Sequence, residues 1–321
     1  MDPVMFKAKD VLSYDEIRTL TARSDARGLW AVASTWGIIA LTFAALARWP
    51  TPFTFLLALI ILGGRQLALS ILMHEAAHRS LFARRVGNDV LTDWLCARPV
   101  WNDVARYRKH HAMHHAHTGT DLDPDRSLAD PFPVSRRSLA RKFARDLVGI
   151  TAVKRVIGLV LMDLEVLEYT VAAQVTRRPR NGRRFVDYVK AGLRNGGGMV
   201  LTNAALAGGL AATGHLWLYS AWIVAYFTTY SLFLRVRSLA EHACTEREAD
   251  PFRNTRTTRA GLLARLTVAP CHVNYHIEHH LLVAVPYYRL PALHRLLRAR
   301  GAIPEPVPNY AAVLGIVTAS L

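Results

Sequence analysis

Three cysteines in 321 residues, Cys96, Cys244 and Cys271, stand far apart in the chain. No C-x-x-C pair occurs, which argues against a disulfide framework, a zinc ribbon and an iron–sulfur cluster. A Gly-rich dinucleotide fingerprint and a haem motif are also missing, so no electron carrier is recognisable within the chain. Acidic residues are few: 24 Asp and Glu against 40 Lys and Arg, a net charge of +16. No nucleic-acid recognition motif accompanies that basic excess, and nucleic acid is not expected as a partner. Residues 1–28 are charged and mixed, with no short apolar core after a basic start, so no cleavable signal is expected there. Ser13 to Asp15 are placed to cap a short amphipathic helix from about Glu16.

What the chain does have is apolar residues in long runs. They make up 51% of a sequence that is also 20% charged, which is the distribution of a membrane protein rather than of two soluble domains. Four spans are predicted, at about 29–47, 53–73, 199–213 and 216–234. The first holds nineteen residues, ~28 Å of helix, close to one hydrocarbon thickness. Arg65 and Gln66 interrupt the second run and should face protein or reach toward an interface. Paired as two hairpins, the spans put 74–196 and 235–321 on one side. Of the 40 Lys and Arg, 22 lie in 74–196, 11 in 235–321 and five in 1–28, while the two short opposite loops hold only Arg48. That asymmetry makes the larger side cytoplasmic. The fold class expected is an all-α integral membrane domain over 1–321: four transmembrane helices in two hairpins under a cytoplasmic helical cap, in a bacterial inner membrane. Within the cap, 90–101 reads as an interfacial helix and 121–133 as loop. Residues 147–175 read as an amphipathic helix on the interface or packed on the cap, because Lys154, Arg155, Asp163, Glu165 and Glu168 make a crossing costly. The basic loop 177–184 suits an anionic leaflet.

The cap is rich in histidine. His111, His114 and His115 form H-x-x-H-H, and His276, His279 and His280 repeat it. Spacings of three and four put three imidazoles on one helix face, and imidazole ligates Zn, Cu, Fe and Ni. With 14 histidines in the chain, chance supplies one such box with a probability of roughly 0.03 and two with roughly a thousandth. A shorter H-x-x-x-H, His74 and His78, follows the second apolar run directly. All three boxes fall on the same side of the membrane. His110 offers an alternative H-x-x-x-H-H to His111, which is preferred because its spacing repeats the third box. His117, His215, His272 and His294 are not expected to be ligands.

The chain resembles the membrane fatty acid desaturases, a superfamily that includes hydroxylases and carotenoid ketolases. The residues that carry the resemblance are His74-Glu-Ala-Ala-His78, Tyr107-Arg-Lys-His-His-Ala-Met-His-His115 with Asp123-Pro-Asp125, Glu241-His242, Thr255-Arg-Thr257, and Asn274-Tyr-His-Ile-Glu-His-His280 before Val285-Pro-Tyr-Tyr288. It implies two iron ions that activate O2 and remove two hydrogens from an acyl chain of a lipid or thioester. The implied ligands are His74, His78, His111, His114, His115, His242, His276, His279 and His280. Some relatives use an Asn one turn before the His242 position to bind a metal-held water; here Ser238 stands there. Nine neutral ligands give each of two metals four or five and leave room for oxygen. Glu75, Asp125, Glu241 and Glu278 are then expected to accept imidazole N–H bonds and fix each ring. Electrons must come from a separate donor, such as a ferredoxin or a small b-type cytochrome with its reductase, drawn to the basic face. Arg98-Pro-Val-Trp-Asn102 offers Arg and Asn to the polar head of an incoming acyl chain. A hydroxylase or ketolase acting on a lipid or carotenoid would keep every ligand. A histidine-rich metal transporter would instead place its ionisable groups within the spans.

Overall fold

The computed structural model of the chain describes residues 8–318. It is helical throughout, with no strand among the described residues and two isolated bridges, Leu167 with Arg177 and Arg259 with Asn309.

Two helices, Asp25–Arg48 and Pro52–Ala77, are long and apolar enough to cross a bilayer. Each start is capped by a side chain: Ser24 accepts from the Arg27 N–H, and Thr51, with Pro52 behind it, accepts from the Thr54 N–H. The hairpin between them is only the Trp49–Thr51 turn. Pro52–Ala77 is the central element. Its second half is buried all round, packed by Asp25–Arg48, by Leu218–Phe227 and by Thr229–His242.

The region predicted as spans three and four differs in detail. Phe185–Ala212 is one helix of 28 residues, ~42 Å at ~1.5 Å per residue, so it begins well before 199. The segment 216–234 is not one helix. It breaks at Thr228 (φ −119°, ψ −88°) between Leu218–Phe227 and Thr229–His242. The break lies where this element crosses Pro52–Ala77. A Cβ on Gly63 would lie 2.2 Å from Thr229 Oγ1, so only glycine lets the backbones meet there. The Thr229 hydroxyl donates across the crossing to the Leu59 carbonyl. Gln66 donates to the Trp222 carbonyl at 2.8 Å, and Ser70 pairs with the Tyr230 hydroxyl at 2.9 Å. The polar residues that interrupt the second apolar run thus face protein.

Around this core, residues 87–100 form two π-helical turns and a 3-10 turn rather than a regular helix. Arg136–Leu147 docks on Thr229–His242 through fully buried Asp146, which accepts two hydrogen bonds from Arg235. Ile150–Asp163 packs on Phe185–Ala212 and Leu218–Phe227, with Ile150, Val153, Ile157 and Val160 exposed along one side. Its Arg155 stacks over Tyr226 and Tyr230 at 4.7 and 4.9 Å. At 14 residues it is ~21 Å long, too short to cross a bilayer.

Candidate metal centre

Four elements bring the histidines together. Pro52–Ala77 supplies His74 from its last turn and His78 as its C-cap, after which Arg79 turns the chain at φ +55°. Val104–His117 is capped by Asp103, which accepts from the Arg106 N–H at 2.8 Å. The helix would be too polar to stand alone, and it buries Tyr107, His111 and His114 against its neighbours. Thr229–His242 ends on His242. His276–Leu281 carries the third box, with His276, Glu278 and His279 buried.

The nine histidines fall into two groups. His74, His78, His111, His115 and His279 have ligand atoms within 4.8 Å of one another, as do His114, His242 and His280; Glu241, His242 and His276 form a third, overlapping set. His276 Nε2 lies 2.9 Å from His242 Nε2 and 3.1 Å from His280 Nε2, which joins it to the second group. In each H-x-x-H-H box the first and last histidines share a group and the middle one crosses to the other. His111 and His115 meet His279, while His276 and His280 meet His114. The groups adjoin where the His115 and His280 rings stack at 4.1 Å.

The donor set fits metal. Within the first group, His115 Nε2 is 3.0 Å from His111 Nε2 and 3.1 Å from His279 Nε2. Cis ligands at ~2.1 Å from one ion stand about 3 Å apart. His74 Nε2 and His78 Nε2 are buried with no hydrogen-bond partner, a cost that a bound cation removes. Burial, followed by the neighbouring imidazoles, holds His111, His115, His276, His279 and His280 well below the ordinary histidine value. His78 and His242 are lowered to about 3, by burial first. These rings are neutral at neutral pH, as ligation requires. His114 differs: burial opposes its charge, but Asp123 and Asp125 more than offset this and its value is raised.

The carboxylates are arranged differently from the sequence expectation. Asp123, not singled out there as an acceptor, takes the His114 Nδ1 hydrogen bond at 2.8 Å. Asp125 pairs at 2.7 Å with His110, which belongs to neither group. Glu75 stands 3.4 Å from His74 Nδ1 without hydrogen-bond geometry; its oxygen accepts from Ser80 Oγ at 3.0 Å and the Tyr287 N–H at 2.9 Å. Glu241 lies 3.6 Å from His276 Nδ1, also without hydrogen-bond geometry, and accepts from Arg237. Burial, opposed by Arg237, raises Glu241 to about 7. Glu278, fully buried, does not reach a ligand ring; it binds Thr257 Oγ1 and His294 Nδ1. His294, not expected to be a ligand, is thus a partner of the third box through Glu278. Ser238 is half-buried, one turn before His242.

Arg98 and Asn102 are not free for a head group. Arg98 donates to Asp93 at 2.6 Å, lies 4.4 Å over the Trp94 ring and presses on the helix Phe185–Ala212, where a Cβ on Gly198 would collide with its guanidinium. Asn102 Oδ1 accepts from the Tyr169 hydroxyl at 2.7 Å and the Asp103 N–H at 2.9 Å. The stretch clamps the fold. A polar cleft of about 110 Å³, lined by Thr118, Asp123, Arg126, Glu246, Arg247 and His242 among others, opens onto the second group.

The comparisons agree with this geometry. The family model described as fatty acid desaturase matches residues 47–312. Dihydrorhizobitoxine desaturase of Bradyrhizobium elkanii is 26% identical over 266 residues, 81% of this chain and 72% of that protein. A model match across most of the chain shows that the protein belongs to the fatty acid desaturase family, a family of oxidoreductases.

Proposed function

We propose that the protein is an O2-dependent di-iron desaturase of a bacterial inner membrane, with four spans and the histidines on the cytoplasmic side, acting on a fatty acyl chain. The observation that supports it most is the sorting of nine imidazoles into groups of five and four that adjoin. His74, His78, His111, His115 and His279 would hold one iron, and His114, His242, His276 and His280 the other. When bound, the iron pair supplies the redox chemistry that couples O2 to C–H oxidation; zinc would fit the donors but is redox-inert. The balance is one –CH2–CH2– unit, O2, two electrons and two protons giving –CH=CH– and two waters. The electrons come from an external donor of the ferredoxin or b-type cytochrome class.

The chain's own residues prepare the site. Asp123 holds the Nδ1 proton of His114 and so presents Nε2 to the second group. Thr118 Oγ1, 3.5 Å from His280 Nδ1, stands at the same flank. Met73, Ala76, Ala77, Ala97, Val104 and Tyr107 form an apolar wall beside the first group, which keeps water from that side. The cleft at His242 gives the other side its approach for protons.

The relative's name specifies dihydrorhizobitoxine, so desaturation of a substrate other than a fatty acyl chain is the second reading. Lipid mass spectrometry of an expressing host tests the first against a His114→Ala control. Loss of two mass units from an acyl chain, dependent on O2 and on His114, supports acyl desaturation. Gain of oxygen on a lipid or carotenoid would make the enzyme a hydroxylase or ketolase. An unchanged lipid profile with two irons bound would favour a non-lipid substrate.

A further inference from the structure

The sequence puts 235–321 on the cytoplasmic side, yet one loop of it returns to the middle of the helix Pro52–Ala77. Thr258 and Asn274 close its neck: the Thr258 N–H donates to the Asn274 carbonyl at 2.9 Å, and Asn274 Nδ2 donates to the Thr258 carbonyl at 2.8 Å. Between them the chain descends to a short turn of helix, Leu262–Leu266. Its tip rests on Gly64 and Arg65. A Cβ on Gly64 would lie 2.1 Å from the Leu266 carbonyl oxygen, and Arg65 Nη2 donates to that oxygen at 3.1 Å.

The depth of this contact follows from helix geometry. Twelve residues separate Pro52 from Gly64, about 18 Å of helix, against a hydrocarbon thickness of about 30 Å. With Pro52 at the far interface, the tip lies roughly 10 Å inside the cytoplasmic edge of the hydrocarbon. The side chains match that position. Leu262 is 76% exposed, Leu263 73% and Leu266 47%. They continue a stripe already on the helix, where Phe53, Leu56, Leu57 and Ile60 are exposed at helical spacing from Gly64.

The C-terminal half of the turn matches it as well. A loop in hydrocarbon must satisfy its polar groups within the protein. The Arg265 N–H donates to the Gly261 carbonyl, the Thr267 N–H and hydroxyl to Leu263, and the Ala269 N–H to Ala264. The Leu266 carbonyl receives Arg65. One bond therefore joins the intramembrane guanidinium to the loop's open carbonyl. Arg265, exposed on its long stem, can extend its charge to the phosphate level.

We propose that Gly261–Leu266 is a hook inserted in the cytoplasmic leaflet, with Leu262, Leu263 and Leu266 in contact with acyl chains. It fixes the height of the third histidine box, since the loop's neck ends at Asn274, two residues before His276. The proposal rests on the membrane reading given above.

The test places a bimane label on Leu263→Cys, and separately on Leu262→Cys, in full-length protein lacking Cys244 and Cys271; Cys96 is fully buried. The protein is reconstituted in phosphatidylcholine–phosphatidylglycerol vesicles. Quenching by acyl-brominated lipid is compared with quenching by aqueous iodide. Labels on Leu41→Cys, in the first long helix, and on Arg137→Cys, on the cap, are the references; both positions are exposed. Hook labels quenched by brominated lipid as strongly as Leu41, and protected from iodide, support the hook. Hook labels that follow Arg137 while Leu41 is lipid-quenched overturn it and leave the membrane reading standing. Labels shielded from both quenchers also overturn it, since protein, such as a second copy of the chain, then covers the leucines. Iodide quenching of Leu41 without lipid quenching would remove the membrane reading itself.

Discussion

Replacing Asp123 by Asn should release one iron of two. Asp123 and His114 are nearly buried, with side chains 9% and 3% exposed and Oδ1 2.8 Å from Nδ1. A hydrogen bond to a charged group is worth about 1.5–3 kcal/mol and one to a neutral group about 0.5–1.5 kcal/mol, and each ~1.4 kcal/mol is tenfold in affinity. The second group should therefore bind its ion about tenfold more weakly, the lower end of the range found when a ligand's hydrogen-bond partner is removed. The same Oδ1 accepts the Asp125 N–H at 2.9 Å, so an Asn oxygen can keep both bonds, and what the substitution removes is the carboxylate charge. The assay is iron per chain after dialysis against a chelator series. Asp123→Asn should pass from two ions to one at a chelator concentration at which the parent protein keeps both. Asp125→Asn is the control. Its nearest imidazole is His110, outside both groups, and it stands 3.8 Å from His114 Nδ1. If Asp123→Asn keeps both ions wherever the parent does, or if Asp125→Asn loses iron more readily, the orienting role of Asp123 is wrong.

Other consequences are open to measurement. His242→Ala leaves three imidazoles in its group and His78→Ala leaves four, so the first should lose iron at the lower chelator concentration. Loading with zinc should preserve the thermal unfolding temperature of the iron form in detergent while abolishing turnover; activity of the zinc form would contradict redox chemistry at the site. Gly63→Ala should destabilise by about 1–3 kcal/mol as an overpacked crossing, whereas Gly37→Ala, with no atom within 4 Å of its added Cβ, should be neutral or slightly stabilising by thermal denaturation. His294→Ala leaves one oxygen of buried Glu278 unpaired and should cost about 1–3 kcal/mol, with His294→Gln recovering part of the loss.

The sequence by itself determined the helical class, the first two apolar helices and the histidine boxes. These are local properties: a run of apolar residues specifies length, and spacings of three and four specify a face. It also favoured His111 over His110, because the spacing from His111 repeats that of the third box. What a face meets is a different matter. Periodicity put His111, His114 and His115 together on one side, but only the docking of Val104–His117 against His276–Leu281 sends His114 to one group and its two neighbours to the other. The preference for Asp125 over Asp123 had no local basis, because the two differ in direction within a loop and not in period. Glu278 was singled out for its place between ligands, yet its oxygens turn to Thr257 and His294, contacts 21 and 16 residues away. The break at Thr228 and the descent of Leu262–Leu266 arise where backbones meet Gly63 and Gly64 on another helix. Close approach of that kind depends on two distant segments at once, so only the tertiary structure could decide it.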